Sequence, residues 1–155
     1  MREIKFRAKR IDNGEWVEGY YYKRIQEKEV VDAIEIYNGN IHSIEYYEIN
    51  PNTLCQYTGL DMNGNKIWEN DIINYGFHNE KGIVRFGTHE NVSSKNHGFY
   101  VEWINKWCSY RQDLGYFADI FEASVIGNIF DNPELLDADK QASKYADNDV
   151  MKPAT

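Results

Sequence analysis

The sequence predicts a mainly β protein, either a small barrel or a strongly curved antiparallel sheet built from hairpins, with a short C-terminal helix. Three observations predict this fold class. Apolar and polar residues alternate in several short segments, which is the period of a half-buried strand. Asn and Gly residues, which favour tight turns, separate those segments. Aromatic residues, which favour strands, make up 15% of the 155 residues, and 12 of them are Tyr.

Two hairpins are predicted in the N-terminal third. In the first, over residues 2–24, apolar residues alternate with charged ones up to a turn at Asp12-Asn13-Gly14. The second hairpin spans Val30 to Ile49 and turns at Asn38-Gly39-Asn40. Both turns contain a glycine flanked by Asn, which tolerates the left-handed backbone that tight hairpin turns require.

The remainder of the chain is predicted to continue as short strands. They cover residues 54–57, 71–76, 83–87, 98–103 and 124–130, with turns at 61–65 and 80–82 and a polar loop over 87–97. Residues 103–121 mix helical and strand patterns, and we predict an irregular strand followed by a short helix over 116–122. Asn132 then caps a short helix that Pro133 opens and that ends at Leu136.

The predicted domain covers residues 1–136. From residue 137 to residue 155 the chain is polar and rich in alanine, with Val150 and Met151 as its only larger aliphatic residues. Such a segment buries too little apolar surface to offset its ordering entropy. We therefore predict a disordered C-terminal tail over 137–155.

Charge and cysteine content exclude several protein classes. Lys and Arg number 17 and Asp and Glu 25, so the net charge of −8 argues against a general nucleic-acid-binding surface. Cys55 and Cys108 are predicted to be free thiols, with one long-range disulfide as the alternative. No apolar run approaches the roughly 18 residues of a membrane span, and the N-terminus is unlike a secretory signal. We expect a cytoplasmic protein without membrane association.

Three ordered segments resemble a known family. They are residues 1–8, residues 56–72 from Gln56-Tyr57-Thr58-Gly59-Leu60 to Asp71-Ile72, and residues 125–135 from Val125-Ile126-Gly127-Asn128 to Leu135. In this order they resemble the YopX-like family of small bacteriophage and prophage proteins of Gram-positive bacteria. The resemblance spans 1–136 and implies a cytoplasmic phage protein in a bacterial host, but it supplies no activity and no site residues.

The chain departs from the family pattern in two places. Asn70 stands in Glu69-Asn70-Asp71 where the family usually has glycine. Asn tolerates a positive φ better than other non-glycine residues, so we predict that the turn is kept. Residues 87–122 are longer than the family implies, and whatever is particular to this member is predicted to lie there.

One loop invites comparison with a calcium site. Asp61-Met62-Asn63-Gly64-Asn65 has the oxygen donors of the first half of a calcium-binding loop. Lys66 and Ile72 stand where that loop needs a glycine and a closing glutamate. A turn in which Asx side chains bond to their own backbone is therefore predicted instead of a metal site.

The remaining reactive residues predict no enzyme, metal or cofactor. His89 and His97, the closest histidine pair, are interpreted as surface residues of a loop, with a zinc or nuclease site as the alternative. Glu69 and Asp71 have the spacing of an acid/base pair, but no His or Lys converges on them in the sequence, which favours solvated or turn-capping carboxylates. Cys108 is interpreted as a buried thiol instead of a nucleophile.

The first hairpin provides a candidate interaction surface in which basic residues neighbour aromatic ones. The candidate residues are Arg2, Lys5, Arg7, Lys9, Trp16, Tyr20, Tyr21 and Tyr22. Small barrels bind single-stranded nucleic acids with such surfaces. The alternative, which the net charge favours, is a solvated or inter-subunit face whose cations pair with the acidic residues 27–48.

The leading functional hypothesis is a non-enzymatic phage or prophage accessory protein that acts on a host or phage partner through protein–protein contacts. Tyr-rich strands with unpaired edges invite association, and symmetric self-association is a common outcome. We therefore expect a homo-oligomer. The alternative hypothesis is a nucleic-acid-binding barrel that uses the first hairpin.

Overall fold

The computed structural model describes residues 3–40, 42–75, 80–91, 94–104, 113–115 and 123–137. Ten strands lie in these ranges: β1 (Phe6–Lys9), β2 (Trp16–Gln26), β3 (Glu29–Asn38), β4 (Ser43–Glu48), β5 (Cys55–Met62), β6 (Asn65–Trp68), β7 (Asp71–Tyr75), β8 (Glu80–Asn91), β9 (Ser94–Trp103) and β10 (Ala123–Asn128). A single 3-10 turn, Pro51–Thr53, precedes β5. The protein is therefore mainly β, as predicted.

The strands form two antiparallel sheets. One has the strand order β4-β3-β2-β1-β5-β6, and the other has the order β10-β7-β8-β9. The chain correspondingly divides into two compact units, the first comprising Met1–Leu60 with Lys66–Trp68 and the second comprising Asp61–Asn65 with Glu69–Thr155. The domain boundary predicted after residue 136 stays a prediction.

Both N-terminal hairpins are confirmed. The first turn has the predicted chemistry, whereas in the second turn the left-handed residue is His42, with a φ of 50°, and not Gly39. Gly14 has a φ of 74°, in the left-handed region that the turn after β1 requires. β5 and β6 are joined by a two-residue Asn-Gly turn in which Asn63 has a φ of 51° and Gly64 a φ of 78°. This geometry matches the hairpin turn that Asn-Gly favours, so the calcium-like segment is a turn.

The core of the first unit lies on one face of its sheet. Ala8, Val17, Ile34 and Ile49 form a buried cluster against which Phe6, Tyr21, Ile36, Tyr47 and Leu54 pack. After β4 the chain returns to the end of β1, where an isolated bridge joins Arg10 and Ile49. One bridge does not close the sheet, and no closed barrel or strong curl is found among the described residues.

β2 changes its neighbour halfway along its length. Residues 16–19 pair with β1, and residues 20–26 pair with β3. The change occurs at Gly19, where a Cβ atom would lie 2.1 Å from the carbonyl oxygen of Glu35. Only glycine allows the backbones to approach so closely.

The second sheet corrects two predictions. Residues 80–82 are not a turn, because they pair with β7. Residues 87–91 and 94–97 are not a loop, because β8 and β9 pair from Gly82–Trp103 to Asn91–Ser94. Cross-strand pairs explain the error: the polar residues of 87–97 face one another in register, as Thr88 does with His97. Strand preference depends on such partners more than on local sequence.

The C-terminal part agrees with the prediction in outline, but the strand ends at Asn128 and the side-chain oxygen of Asn132 accepts from the Asn128 amide at 3.3 Å instead of capping the helix. β10 pairs with β7 through a bulge between Val125 and Gly127, and a short helix follows at residues 134–137. The turn between β6 and β7 is also confirmed, with Asn70 at a φ of 66°. The amide of Asn70 donates to the carbonyl of Val84 at 2.8 Å, which ties this turn to β8.

Several predictions fall on residues that the structure does not describe. These are Arg2, the helix predicted over 116–122, most of the irregular strand before it, Cys108, and the tail apart from residue 137. In the part of the chain that is described, no helix has the length and apolar character needed to cross a membrane.

Candidate interaction surface

The strand register places most of the predicted surface on one face of the six-stranded sheet, which we call the outer face. Lys9 pairs with Trp16, and Arg7 pairs with Glu18. Because side chains alternate along a strand, Tyr20 and Tyr22 share this face with Trp16. Tyr21 does not, since it packs against the core cluster on the opposite face.

Lys5, one residue before β1, lies near the same face. Its Nζ atom is 2.8 Å from a carboxylate oxygen of Glu3. The pKa of Lys5 is raised mainly by this hydrogen bond, with partial burial opposing the rise and the charges of Glu3, Tyr20 and Glu18 adding to it. Its cation is therefore partly neutralised by a neighbour in sequence.

Arg7 is half-buried between two indole rings. Its guanidinium carbon lies 4.8 Å from the ring centre of Trp16 and 5.3 Å from that of Trp68. The Nζ atom of Lys9 lies 5.5 Å from the Trp16 ring centre. Such cation–π contacts stabilise by about 0.5–2 kcal/mol each. Arg7 and Lys9 thus already lie against the ring of Trp16, one of the aromatic residues on which a nucleic-acid base could stack.

Charge pairs on and beside this surface include one between distant positions of the chain and one between near neighbours in sequence. Lys66 lies 2.9 Å from the carboxylate of Glu18 on the outer face. The Nε atom of Arg10 donates to Asp12 at 2.9 Å, two residues further along the chain. The predicted pairing of the first ten residues with the acidic 27–48 segment stays a prediction.

The outer face of β2, β3 and β4 exposes large apolar side chains. Four residues, which we call the tyrosine face, remain about half exposed or more: Tyr20 (52%), Tyr37 (60%), Ile44 (58%) and Tyr46 (48%). Tyr20 and Tyr46 both pair with Glu35, and Tyr37 pairs with Ile44, so the four are neighbours in register. Monomeric soluble proteins rarely expose contiguous apolar patches unless they bind something.

Sequence reasoning identified only one of these four residues. Tyr37 lies on β3, and Ile44 and Tyr46 lie at alternate positions of β4. The period-2 pattern therefore predicts that Ile44 and Tyr46 point to the same face of the sheet. The register with β2 was needed to place them beside Tyr20. The guanidinium carbon of Arg24 also lies on this face, 4.0 Å from the ring centre of Tyr46.

A half-open pocket lies at the end of β4. It has a volume of about 250 Å³ and is lined by Ile11, Asp12, Tyr46, Tyr47 and Glu48. The pKa of Asp12 is lowered mainly by the hydrogen bond from Arg10. The Tyr47 hydroxyl donates to Glu45 at 2.7 Å, and this bond raises the pKa of the phenol. The pocket therefore combines apolar walls with carboxylates.

The two histidines predicted to be surface residues of a loop lie on strands. His97 is exposed on β9, and its Nδ1 atom lies 3.0 Å from the Thr88 hydroxyl. His89 is instead buried on β8, 6% exposed, with its ring stacked 5.0 Å from that of Tyr100. Neither ring nitrogen of His89 has a hydrogen-bond partner among the residues that the structure describes. Alternation puts the two rings on opposite faces, so they do not form a joint site.

The other reactive residues are placed as follows. Glu69 precedes the turn residue Asn70, and Asp71 is buried at the start of β7. Cys55 is buried, and its thiol donates to the carbonyl of Thr53 at 3.3 Å. Within the described ranges, no three His, Cys, Asp or Glu side chains converge as a metal site would require.

Comparison with known proteins identifies a family. No curated protein matches the chain. Residues 5–137 match the family described as YopX protein. This range includes the three segments on which the resemblance rests, except residues 1–4 of the first segment. The match covers far more than half of the chain. The chain is therefore a member of the YopX family.

Proposed function

We propose that this YopX family member is a phage or prophage accessory protein that acts non-enzymatically, through protein–protein contacts, in the cytoplasm of a bacterial host. The observation that carries the proposal is the tyrosine face. Tyr and Trp combine a large apolar body with a polar group and are enriched in the centres of protein interfaces. Four large side chains exposed on three adjacent strands are therefore typical of an association surface.

The charges around the tyrosine face favour a protein partner over a nucleic acid. Glu35 lies in register between Tyr20 and Tyr46, so a carboxylate sits among the exposed rings. A phosphate backbone that followed these rings would be repelled by it. On the same face, the Trp16 ring is already in contact with Arg7 and Lys9.

A second copy of the chain is the first partner that this surface fits. Arg24 and Glu35 both lie on the outer face, so the surface presents both signs of charge beside its apolar centre. In an isologous dimer each patch meets its own copy, and a surface with both signs is self-complementary. We infer a homo-oligomer in which the tyrosine faces meet.

Light scattering after size exclusion at micromolar concentration tests this proposal. The wild type is expected to have a mass that is a multiple of 18.2 kDa, and Tyr37→Asp is expected to shift it to 18.2 kDa. Ile25→Asp is the matched control, because Ile25 is 78% exposed but lies off the tyrosine face. Circular dichroism of each variant verifies that the strands are retained.

The salt dependence separates apolar from ionic association. Exposed ion pairs contribute about 0–1 kcal/mol each, so raising salt to about 0.5 M is expected to weaken the oligomer only mildly. A wild-type mass of 18.2 kDa across the micromolar range would overturn self-association. An equal loss of mass in Ile25→Asp and Tyr37→Asp would show that the tyrosine face is not the interface.

A further inference from the structure

β4 presents unpaired backbone groups at the edge of its sheet. It ends the strand order, with β3 as its one neighbour among the described strands. The Ile49 amide donates to the Asp32 carbonyl on the β3 side, while the Glu48 carbonyl accepts from Ile11 on the other side. Since these directions alternate along an antiparallel strand, the amide groups of Ile44 and Tyr46 point away from β3.

The free edge leads to the pocket at the end of β4. Beyond Tyr46, the segment at Ile11 occupies the side of β4 that points away from β3, and the pocket lies at this junction. Asp12 and Glu48 line it; Asp12 is paired with Arg10, which leaves the Glu48 carboxylate for a further cation. A strand laid along this edge would therefore run from exposed apolar side chains towards the carboxylate of Glu48.

We propose that β4 accepts an extended basic segment of a partner protein as an added strand, and that the pocket receives a Lys or Arg side chain of that segment. Main-chain hydrogen bonds to an exposed edge supply affinity in this binding mode, and pockets for alternate side chains supply specificity. The walls of Ile11 and Tyr46 suit the aliphatic stem of a cation, and the carboxylate of Glu48 suits its charged end.

The charges argue against a second copy at this edge. If two β4 strands paired edge to edge with Ile44 opposite Tyr46, the two Glu45 residues would lie opposite each other, and like charges on paired strands are destabilising. A basic segment instead complements them. The inference rests on the proposed function, because it names the kind of partner that the protein contacts, but it uses the backbone edge of β4, whose residues Ile44 and Tyr46 also belong to the tyrosine face.

A pair of substitutions at one position isolates the backbone contribution. Ile44→Pro and Ile44→Ala both remove the exposed side chain, but only the proline removes the outward N–H, and an edge strand tolerates proline at such a position. The probe is a fluorescently labelled peptide of alternating Lys and Val, with a Glu and Val peptide as its control. Fluorescence anisotropy with the full-length protein measures binding.

The expected result is binding of the Lys peptide and not of the Glu peptide. Ile44→Pro should weaken binding about tenfold relative to Ile44→Ala, which corresponds to the loss of about one backbone hydrogen bond. Glu48→Gln should weaken it by about two- to fivefold, as expected of an exposed ion pair. Equal affinities for Ile44→Pro and Ile44→Ala, equal binding of both peptides, or no binding would each overturn the inference.

Light scattering of the same samples separates this inference from the proposed self-association. A mass that stays multimeric while the wild type fails to bind the Lys peptide overturns the strand-addition site alone. A monomeric wild type that binds the Lys peptide, with Ile44→Pro weaker than Ile44→Ala, supports strand addition and overturns the oligomer alone.

Discussion

The phenol of Tyr21 donates a hydrogen bond to the carboxylate of Asp32 across the β2–β3 pair. This bond lies on the core face of the sheet, opposite to Tyr20 and Tyr22. Three consecutive tyrosines therefore serve two purposes, with the middle one stabilising the sheet and its neighbours facing outward.

The Tyr21–Asp32 bond predicts a pH dependence of stability. The bond to Asp32, followed by burial and by the Asp32 charge, raises the pKa of Tyr21 above its ordinary value of 10.0. The folded state thus holds the phenol proton more tightly than the unfolded state. This contribution is complete below the ordinary tyrosine pKa and is lost as pH rises through the folded-state pKa.

Tyr21→Phe is expected to lower the free energy of unfolding by about 0.5–1.5 kcal/mol at neutral pH. Its stability should also decline less than that of the wild type above pH 10.0, because the shifted phenol is gone. Urea unfolding at both pH values measures this, with Tyr20→Phe as the exposed control. A parallel decline in wild type and Tyr21→Phe would contradict the assignment.

Gly19→Ala is expected to destabilise the first unit. The new Cβ would lie 2.1 Å from the Glu35 carbonyl oxygen, so the β2 and β3 backbones would have to separate. Overpacking of this kind costs about 1–3 kcal/mol. Gly98→Ala is the control, because a Cβ at that strand glycine meets nothing within 4 Å. Equal melting temperatures for Gly19→Ala and Gly98→Ala would refute the close approach of the two backbones at Gly19.

Arg7→Ala is expected to lower the free energy of unfolding by about 1–3 kcal/mol, since it removes the contacts to both Trp16 and Trp68. Arg7→Lys should recover only part of this, because an ammonium lacks the flat guanidinium that stacks on indole. Lys23→Ala, at a side chain that is 64% exposed, provides the control. Urea unfolding followed by Trp fluorescence reports on both rings, and full recovery in Arg7→Lys would contradict stacking.

His89→Phe is expected to preserve or raise stability. The substitution keeps a ring against Tyr100 and removes two buried nitrogens that lack hydrogen-bond partners, each of which costs about 1–3 kcal/mol when unsatisfied. His97→Phe, on the exposed face of the same hairpin, should change stability little. If His89→Phe were strongly destabilised while His89→Asn was not, the ring nitrogens would have a partner in solution.

Local chemistry explains what the sequence could predict. The turns at Gly14 and Asn70 follow from the few residues that adopt a positive φ, and no distant partner is needed to recognise them. The polar stretch 87–97 could not be recognised in this way. Its strands depend on a register in which Thr88 meets His97 and Phe86 meets Phe99, and that register is a property of the folded hairpin.

The candidate surface was predicted in part for the same reason. Alternation alone could have separated Tyr21 from Tyr20, because adjacent strand residues point to opposite faces. Joining Tyr20 with Tyr37 and Tyr46 required knowledge of how β2, β3 and β4 pair. The contact between Arg7 and the ring of Trp16 could not be predicted from the number of charges, because it depends on the positions of both side chains.

The pairing of β10 with β7 has a consequence for the order in which the chain folds. The β1–β2, β3–β4 and β8–β9 hairpins close over short turns, whereas the Ile72–Gly127 pair joins positions far apart in sequence and must pay a larger loop-closure entropy. During synthesis the N-terminal hairpins can pair as soon as they leave the ribosome. β7 can pair with β10 only after nearly all of the segment that matches the family has been synthesised. We expect the amide protons of β10 to become protected last during refolding.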